Sequence, residues 1–253
     1  MASHHRPARS GRVAPAEGRE PRYEPPADVR TTTLGPILLG LRDVIPEQQA
    51  RLGFEGSGSM SLWYAGDISL VRKRAVAIVG TRQVSPEGAA RARRLARELV
   101  QAGVVIVSGL AKGVDTEALT AAIDAGGHVI AVIGTPIDKA YPAENKRLQE
   151  RIYRDHLLIS QFAPGMQTFQ SHFPERNKLM AAITDASVII EAGETSGTLH
   201  QAAECVRLRR WLFVARSVME NPALNWPNRF RHEDKVRTLT DTADVLSALP
   251  THA

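Results

Sequence analysis

The strongest constraint in this sequence is a repeated unit: a short apolar run, a polar turn, then a stretch with helical spacing. The runs lie at Ala75–Val79, Val104–Val107, His128–Ile133, Leu157–Ser160, Ser187–Ile190 and Trp211–Ala215. They lack the alternation of a half-exposed strand, so each reads as a strand buried on both faces. Ser85-Pro86 opens the first helix, with serine as N-cap and proline at the first helical position. Ala92, Leu95, Ala96 and Leu99 give that helix a buried stripe, and Gly103 stops it. Further helices are predicted over Asp115–Asp124, Glu144–Tyr153, Pro174–Thr184, Gly197–Arg209 and Asp241–Leu249. Strands alternating with helices predict an α/β fold with an open, mainly parallel sheet and helices on both faces. Right-handed crossovers then collect the strand-to-helix turns on one edge of the sheet, where ligands bind.

The chain has 253 residues, which suits one such domain with extensions. Residues 1–33, rich in Pro and Arg and poor in large apolar side chains, are expected to be a disordered basic tail. Residues 34–74 read as a lead-in segment packed on the core, with a short strand beginning at Leu62, and 75–253 as the core with its C-terminal helix. The net charge of +5, from 32 basic and 27 acidic residues, is compatible with a polyanionic partner without requiring one. The single cysteine, Cys205, rules out an intrachain disulfide and a thiolate metal cluster, and fits a reducing, cytoplasmic setting. No apolar run approaches transmembrane length and no signal-peptide core is seen, so no membrane association is expected.

Three of the turns carry glycine and hydroxyl residues at a strand-to-helix junction. Gly80, Thr81 and Arg82 follow the first run; this is either an anion pocket with a bidentate phosphate donor or an ordinary tight turn. Ser108, Gly109, Lys112 and Gly113 follow the second, where backbone amides and a lysine could wrap a phosphate. Asp115 reads first as the N-cap of the next helix, and second as an acceptor for a ribose hydroxyl or base edge. Ser196, Gly197 and Thr198, with Thr195 before them, open the helix that holds Cys205 and form a third anion pocket. Arg176, Asn177 and Lys178 place two cations and an amide at the start of another helix, either on a ligand or on a solvated face. Glu191 and Glu194 beside the third turn read as loop-orienting or capping carboxylates before general bases. His200 and Glu204 could share a metal, but no third ligand lies nearby. There is no Walker A sequence, no dinucleotide fingerprint and no nucleophile–base order, so the pattern favours binding over turnover, with no catalytic residue, metal or cofactor expected.

Taken together, LWYAGDISL, AIVGTRQVSPEG, SGLAKGVDTEA, GGHVIAVIGTPIDKAYPAEN, FPERNKLMAAI and VIIEAGETSGTLHQA, from about Leu62 to Val214, resemble the DprA/Smf family of DNA-processing proteins. The resemblance implies an extended Rossmann-like fold and single-stranded DNA held in a basic pocket at the carboxyl edge of the sheet. It further implies homodimerisation and assistance to a RecA-type recombinase in natural transformation. Carried over by motif, the DNA contacts would be Gly80, Thr81, Arg82, Ser108, Gly109, Lys112, Gly113, Arg176, Asn177 and Lys178. The chain departs from the family pattern in three places. Leu119 follows Ala118 where the family has histidine, Ala215-Arg216-Ser217 replaces a Pro-Gly stretch, and the flanking helical and winged-helix domains are expected to be absent or reduced to tails. The alternative is a nucleotide-binding enzyme or sensor resembling the LOG-type phosphoribohydrolases. Glu191–Thr198 lacks the second glycine pair and the placed glutamate of their motif, which disfavours hydrolysis.

Overall fold

The computed structural model describes residues 22–39 and 60–250. Its strands are β1 (Arg30–Thr33), β2 (Ser61–Gly66), β3 (Ala75–Val79), β4 (Val105–Ser108), β5 (Val129–Ile133), β6 (Leu157–Ser160), β7 (Ala186–Ile189), β8 (Trp211–Ala215) and β9 (Val236–Leu239). The helices among the described residues are α1 (Leu34–Leu39), α2 (Pro86–Gln101), α3 (Val114–Asp124), α4 (Lys146–Asp155), α5 (His172–Ile183), α6 (Thr198–Arg207), α7 (Arg216–Met219) and α8 (Thr242–Leu246). All strands join one sheet in the order β1-β2-β6-β5-β4-β3-β7-β8-β9. From β6 to β9 every neighbouring pair is parallel, while β1 and β2 add an antiparallel edge.

The continuous apolar runs are explained by burial on both sides. In β3, Ala75, Ala77 and Val79 face one core with Leu179, Ile183, Ala202 and Cys205. Val76 and Ile78 face a second core with Ala92, Leu99, Ala118 and Leu119. Helices α5 and α6 thus cover one face, and α2 and α3 the other. Helix α2 is capped as its sequence predicts, with the Ser85 side chain accepting from the Gly88 N–H and proline at its first position.

Three expectations are corrected. The predicted tail includes ordered structure from residue 22: Arg30–Thr33 is a strand paired with β2, and the Tyr23 hydroxyl donates to the Ile137 carbonyl at 2.9 Å. Low apolar content misled the reading, because this segment is held by hydrogen bonds at the edge of the sheet. Residues 1–21 and 40–59 lie outside the described residues, so the tail and lead-in expectations there have no structural counterpart. Trp211–Ala215 is not the last strand: β9 follows, with only Val236 and Leu239 of its four residues buried, too weak a pattern to read. The terminal helix is shorter than expected, running from Thr242 to Leu246 behind an Asp241 capping box.

Candidate nucleic-acid interface

Strand order reverses between β3 and β7. From β3 the chain winds through β4 and β5 to β6, then returns to place β7 on the other side of β3 and continues outward to β9. The carboxyl ends of β3 and β7 are therefore the topological switch point, where diverging turns leave a crevice. A cavity of about 470 Å³ opens there, lined among others by Thr81, Arg82, Phe173, Asn177, Thr198 and Gln201. A smaller recess of about 50 Å³ adjoins it, lined by Arg82, Lys112, Tyr141, Phe173 and Arg176. Arg82, Lys112 and Arg176 share that recess, although they fill different roles in it.

The turns are stitched to one another before any ligand arrives. Thr81 N–H donates to the Glu191 carbonyl at 2.7 Å, and Val114 N–H donates to the Thr81 carbonyl at 3.2 Å. The Glu191 carboxylate accepts from the Ser85 hydroxyl at 2.7 Å, so it orients the turn after β3. Glu194 likewise accepts from the backbone N–H groups of Asn225 and Trp226. Both carboxylates hold loops, as their sequence reading favoured. Glu204 pairs with Arg207 and is buried, while His200 is exposed; among the described residues no group of three His, Cys, Asp or Glu could hold a metal.

Several predicted contact residues serve the loop itself. Ser108 is fully buried and its hydroxyl donates to the Ile78 carbonyl at 2.7 Å. Gly109 N–H donates to Asp115 at 3.0 Å and Ala111 N–H does so at 3.3 Å, so these amides face inward rather than toward an anion. A Cβ on Gly109 would fall 1.9 Å from the Arg176 guanidinium, so glycine here admits arginine. Gly113 has a positive φ of 75°, and a Cβ there would fall 2.3 Å from the Thr81 carbonyl oxygen. Glycine is needed for that turn and for its close approach to the first loop. Gly80 packs against Val114. Gly113 itself is the N-cap of α3, without a side-chain bond, and Asp115 caps the preceding loop instead of the helix.

Arg176 is 6% exposed. Its guanidinium donates to the Gly109 carbonyl, to the Val132 carbonyl at 2.8 Å and to Asn177 Oδ1 at 2.9 Å. Burial pushes the Asp115 carboxyl above the usual carboxylate range, with the nearby Arg176 charge pulling it back. Burial likewise lowers Arg176, and Asp115 opposes that shift. Arg176 is therefore a structural cation under the floor of the cavity. Asn177 uses its other end on the Gly197 carbonyl at 3.1 Å, tying α5 to the turn before α6. Lys178 pairs with Glu175 at 3.3 Å along α5 and lines neither recess. Ser108, Gly109, Arg176 and Lys178, all expected as contacts, thus each have burial or a partner within the protein.

The groups facing outward are Arg82, Lys112 and the turn before α6. Arg82 is exposed, has no carboxylate partner among the described residues, and lies 5.6 Å from the centroid of the Phe173 ring. Lys112 is exposed and paired with Glu144, also exposed, which is held below the ordinary carboxylate range by its hydrogen bond from Lys112. Ser196 and Thr198 hydroxyls bond each other, and Thr198 N–H donates to Ser196 Oγ at 3.2 Å. Gly197 faces open space. Sequence reasoning missed the aromatic pair Tyr141 and Phe173, whose rings lie 5.5 Å apart at the recess. It also missed Gln201, buried at the cavity floor, whose Nε2 donates to Ser187 while its Oε1 has no partner among the described residues. Phe173 was legible as the residue opening the FPERNK motif; nothing in the local pattern marked Gln201 apart from helical core.

A parallel sheet whose switch point carries exposed cations beside an aromatic pair defines a Rossmann-like binding fold of the kind that accepts phosphorylated ligands. The family model described as DNA recombination-mediator protein A matches residues 45–250, and the chain belongs to that family. It is 45% identical to DNA processing protein DprA of Streptococcus pneumoniae over 138 residues, which is 54% of this chain and 49% of that protein. The X-ray structure of S. pneumoniae DprA superimposes with a TM-score of 0.74 at 32% identity, covering 89% of this chain and 76% of that one. DNA processing protein A from Helicobacter pylori, solved to describe its single-stranded DNA binding mode, aligns with a TM-score of 0.70 at 24% identity, covering 87% and 94%. At that identity the second likeness shows the fold. The chain spans about half the length of the curated pneumococcal protein.

Proposed function

We propose that this chain binds single-stranded DNA at the β3/β7 switch point, as a DNA-processing protein that assists recombination. The juxtaposition of Arg82, Lys112, Phe173 and Tyr141 at one recess carries the reading. A single strand offers phosphates for cations and flat bases for aromatic rings, and this recess has both. Thr81, Asn177, Ser196, Gly197 and Thr198 line the adjoining cavity, where the turn before α6 faces the sugar-phosphate chain. Gly80 and Gly113 shape that surface, and Arg176 fixes its floor. The family membership and the single-stranded DNA binding mode described for the H. pylori protein support the same ligand. By the same likeness, the protein acts as a homodimer in the cytoplasm, delivers the strand to a RecA-type recombinase during natural transformation, and is not an enzyme. Among the described residues no helix is long and apolar enough to cross a membrane. Glu191 and Glu194 are tied to loops, and Asp115, which lines the cavity, accepts from the Gly109 and Ala111 N–H groups, which disfavours the phosphoribohydrolase alternative.

Fluorescence anisotropy with labelled oligo-dT tests this reading. Binding is expected at low salt, with Arg82→Ala and Lys112→Ala each weakening it about tenfold and reducing the log K against log salt slope by ~0.7 per lost phosphate contact. Binding that ignores salt and both substitutions refutes the assignment. Release of free base from a nucleoside monophosphate would favour the enzyme.

A further inference from the structure

The switch-point cavity does not end at β7. A second depression, of about 370 Å³, shares Thr81 and Gly193 with it and extends to Arg91 and Ser217. A third, of about 210 Å³, shares Arg91 and Ser217 with the second and extends to Arg94, Arg216 and Thr240. The three form one cleft along the carboxyl edge of the sheet, between α2 and the ends of β7, β8 and β9. From these shared walls and their charges, we infer that the far end of the cleft, formed by Arg91, Arg94 and Arg216, is a second phosphate-binding segment for the single strand held at the switch point. This rests on the DNA reading of the first cavity.

The far end has the chemistry for the task. Arg91 and Arg94 are three residues apart on α2, so they share a face. Among the described residues Arg91 has no ion-pair partner. Arg94 meets Glu98 at 3.9 Å and Arg216 meets Glu220 at 3.8 Å, both loose pairs between exposed side chains. Such pairs hold little, and a phosphate can replace the carboxylate with a bidentate contact. Arg216 also donates to the Thr240 hydroxyl at 3.1 Å, which anchors it at the wall. The other acids there are engaged by the protein: Asp241 accepts from Ala243 N–H at 2.7 Å and caps α8, and Asp244 accepts from Thr240 N–H at 2.7 Å. The middle of the cleft is different: it carries Glu87 and Glu191, the latter bonded to Ser85. Phosphate contacts should therefore group at the two ends, with sugars and bases crossing the acidic middle.

The test compares a short oligo-dT, only long enough to bind detectably, with a long one, on wild type and on the Arg94→Gln/Arg216→Gln double variant. Thermal denaturation checks that the variant folds; if it does not, Arg91→Gln, which breaks no ion pair, reads the same segment. The wild type should gain affinity with length. The variant should keep the short-oligomer affinity, lose about tenfold on the long one, and show a salt slope smaller by ~1.4 for two lost contacts. Equal loss on both lengths, or no loss on either, overturns the inference while leaving the switch-point site in place. A wild type that binds neither length refutes the DNA reading and this extension together.

Discussion

Arg82 and Arg176 line the same recess, and their residue types read alike in the sequence, yet they do opposite work. Arg176 satisfies two carbonyls, Gly109 in the turn after β4 and Val132 in β5, and sits with Asp115 away from water. Its removal strands those carbonyls and leaves Asp115 without its neutralising neighbour. Arg176→Ala should cost ~2–5 kcal/mol in a urea unfolding measurement, because two buried carbonyls lose a charged donor and a buried carboxyl loses its neighbouring cation. Arg176→Lys should recover little, since an ammonium cannot reproduce the planar fork. Arg82→Ala should leave the unfolding midpoint unchanged, because that side chain is exposed and has no carboxylate partner among the described residues. Equal midpoints for the Arg82 and Arg176 variants would show that this division between binding and structural cations is wrong.

At the level of elements, the parallel strands and the helices between them were legible because burial on both faces leaves a continuous apolar signature. The edge elements were not. β1 and β9 have one partner each, and their sequences, Arg-Thr-Thr-Thr and Val-Arg-Thr-Leu, carry little apolar content. The site was legible as a set of turns, but which glycines meet a ligand and which meet the neighbouring loop depends on contacts between distant turns, such as Gly109 with Arg176. The junction of α4 with the sheet illustrates a further element-scale effect. His156 closes α4, its carbonyl accepts from Asp67 N–H at 2.8 Å, and its Nδ1 is buried without a partner among the described residues. Burial lowers its pKa first, His128 and Arg151 add to that, and Asp155 opposes it. An unfolded histidine titrates near ~6.5, so the folded chain resists a proton that the unfolded chain accepts. Stability from this group is complete above that pH and is lost as pH falls through the window below it. His156→Gln should flatten the fall in thermal midpoint between about pH 7 and about pH 5.5. An identical slope in the variant would remove His156 as the cause.

On the scale of the whole molecule, residues 22–33, the described part of the segment expected to be a tail, work as a strap. Tyr23 donates to the Ile137 carbonyl and accepts from Gln149 Nε2 at 2.8 Å, while Glu24 receives the Tyr153 hydroxyl on its carbonyl at 2.8 Å. Gln149 also donates to the Lys139 carbonyl at 3.0 Å. The strap therefore joins residues more than a hundred positions apart and clamps the loop that leads from β5 to Tyr141, at one wall of the recess. Burial raises the Tyr23 phenol, so it remains a neutral donor throughout the physiological range. Tyr23→Phe keeps the ring and removes the two bonds, which should cost ~1–2 kcal/mol and lower the thermal midpoint by a few degrees. Oligo-dT affinity should fall only slightly, because Arg82 and Phe173 are positioned by β3 and α5, while the strap braces the loop behind the Tyr141 wall. A large loss of affinity with an unchanged midpoint would reverse that assignment and make the strap part of the binding surface rather than a brace for the fold.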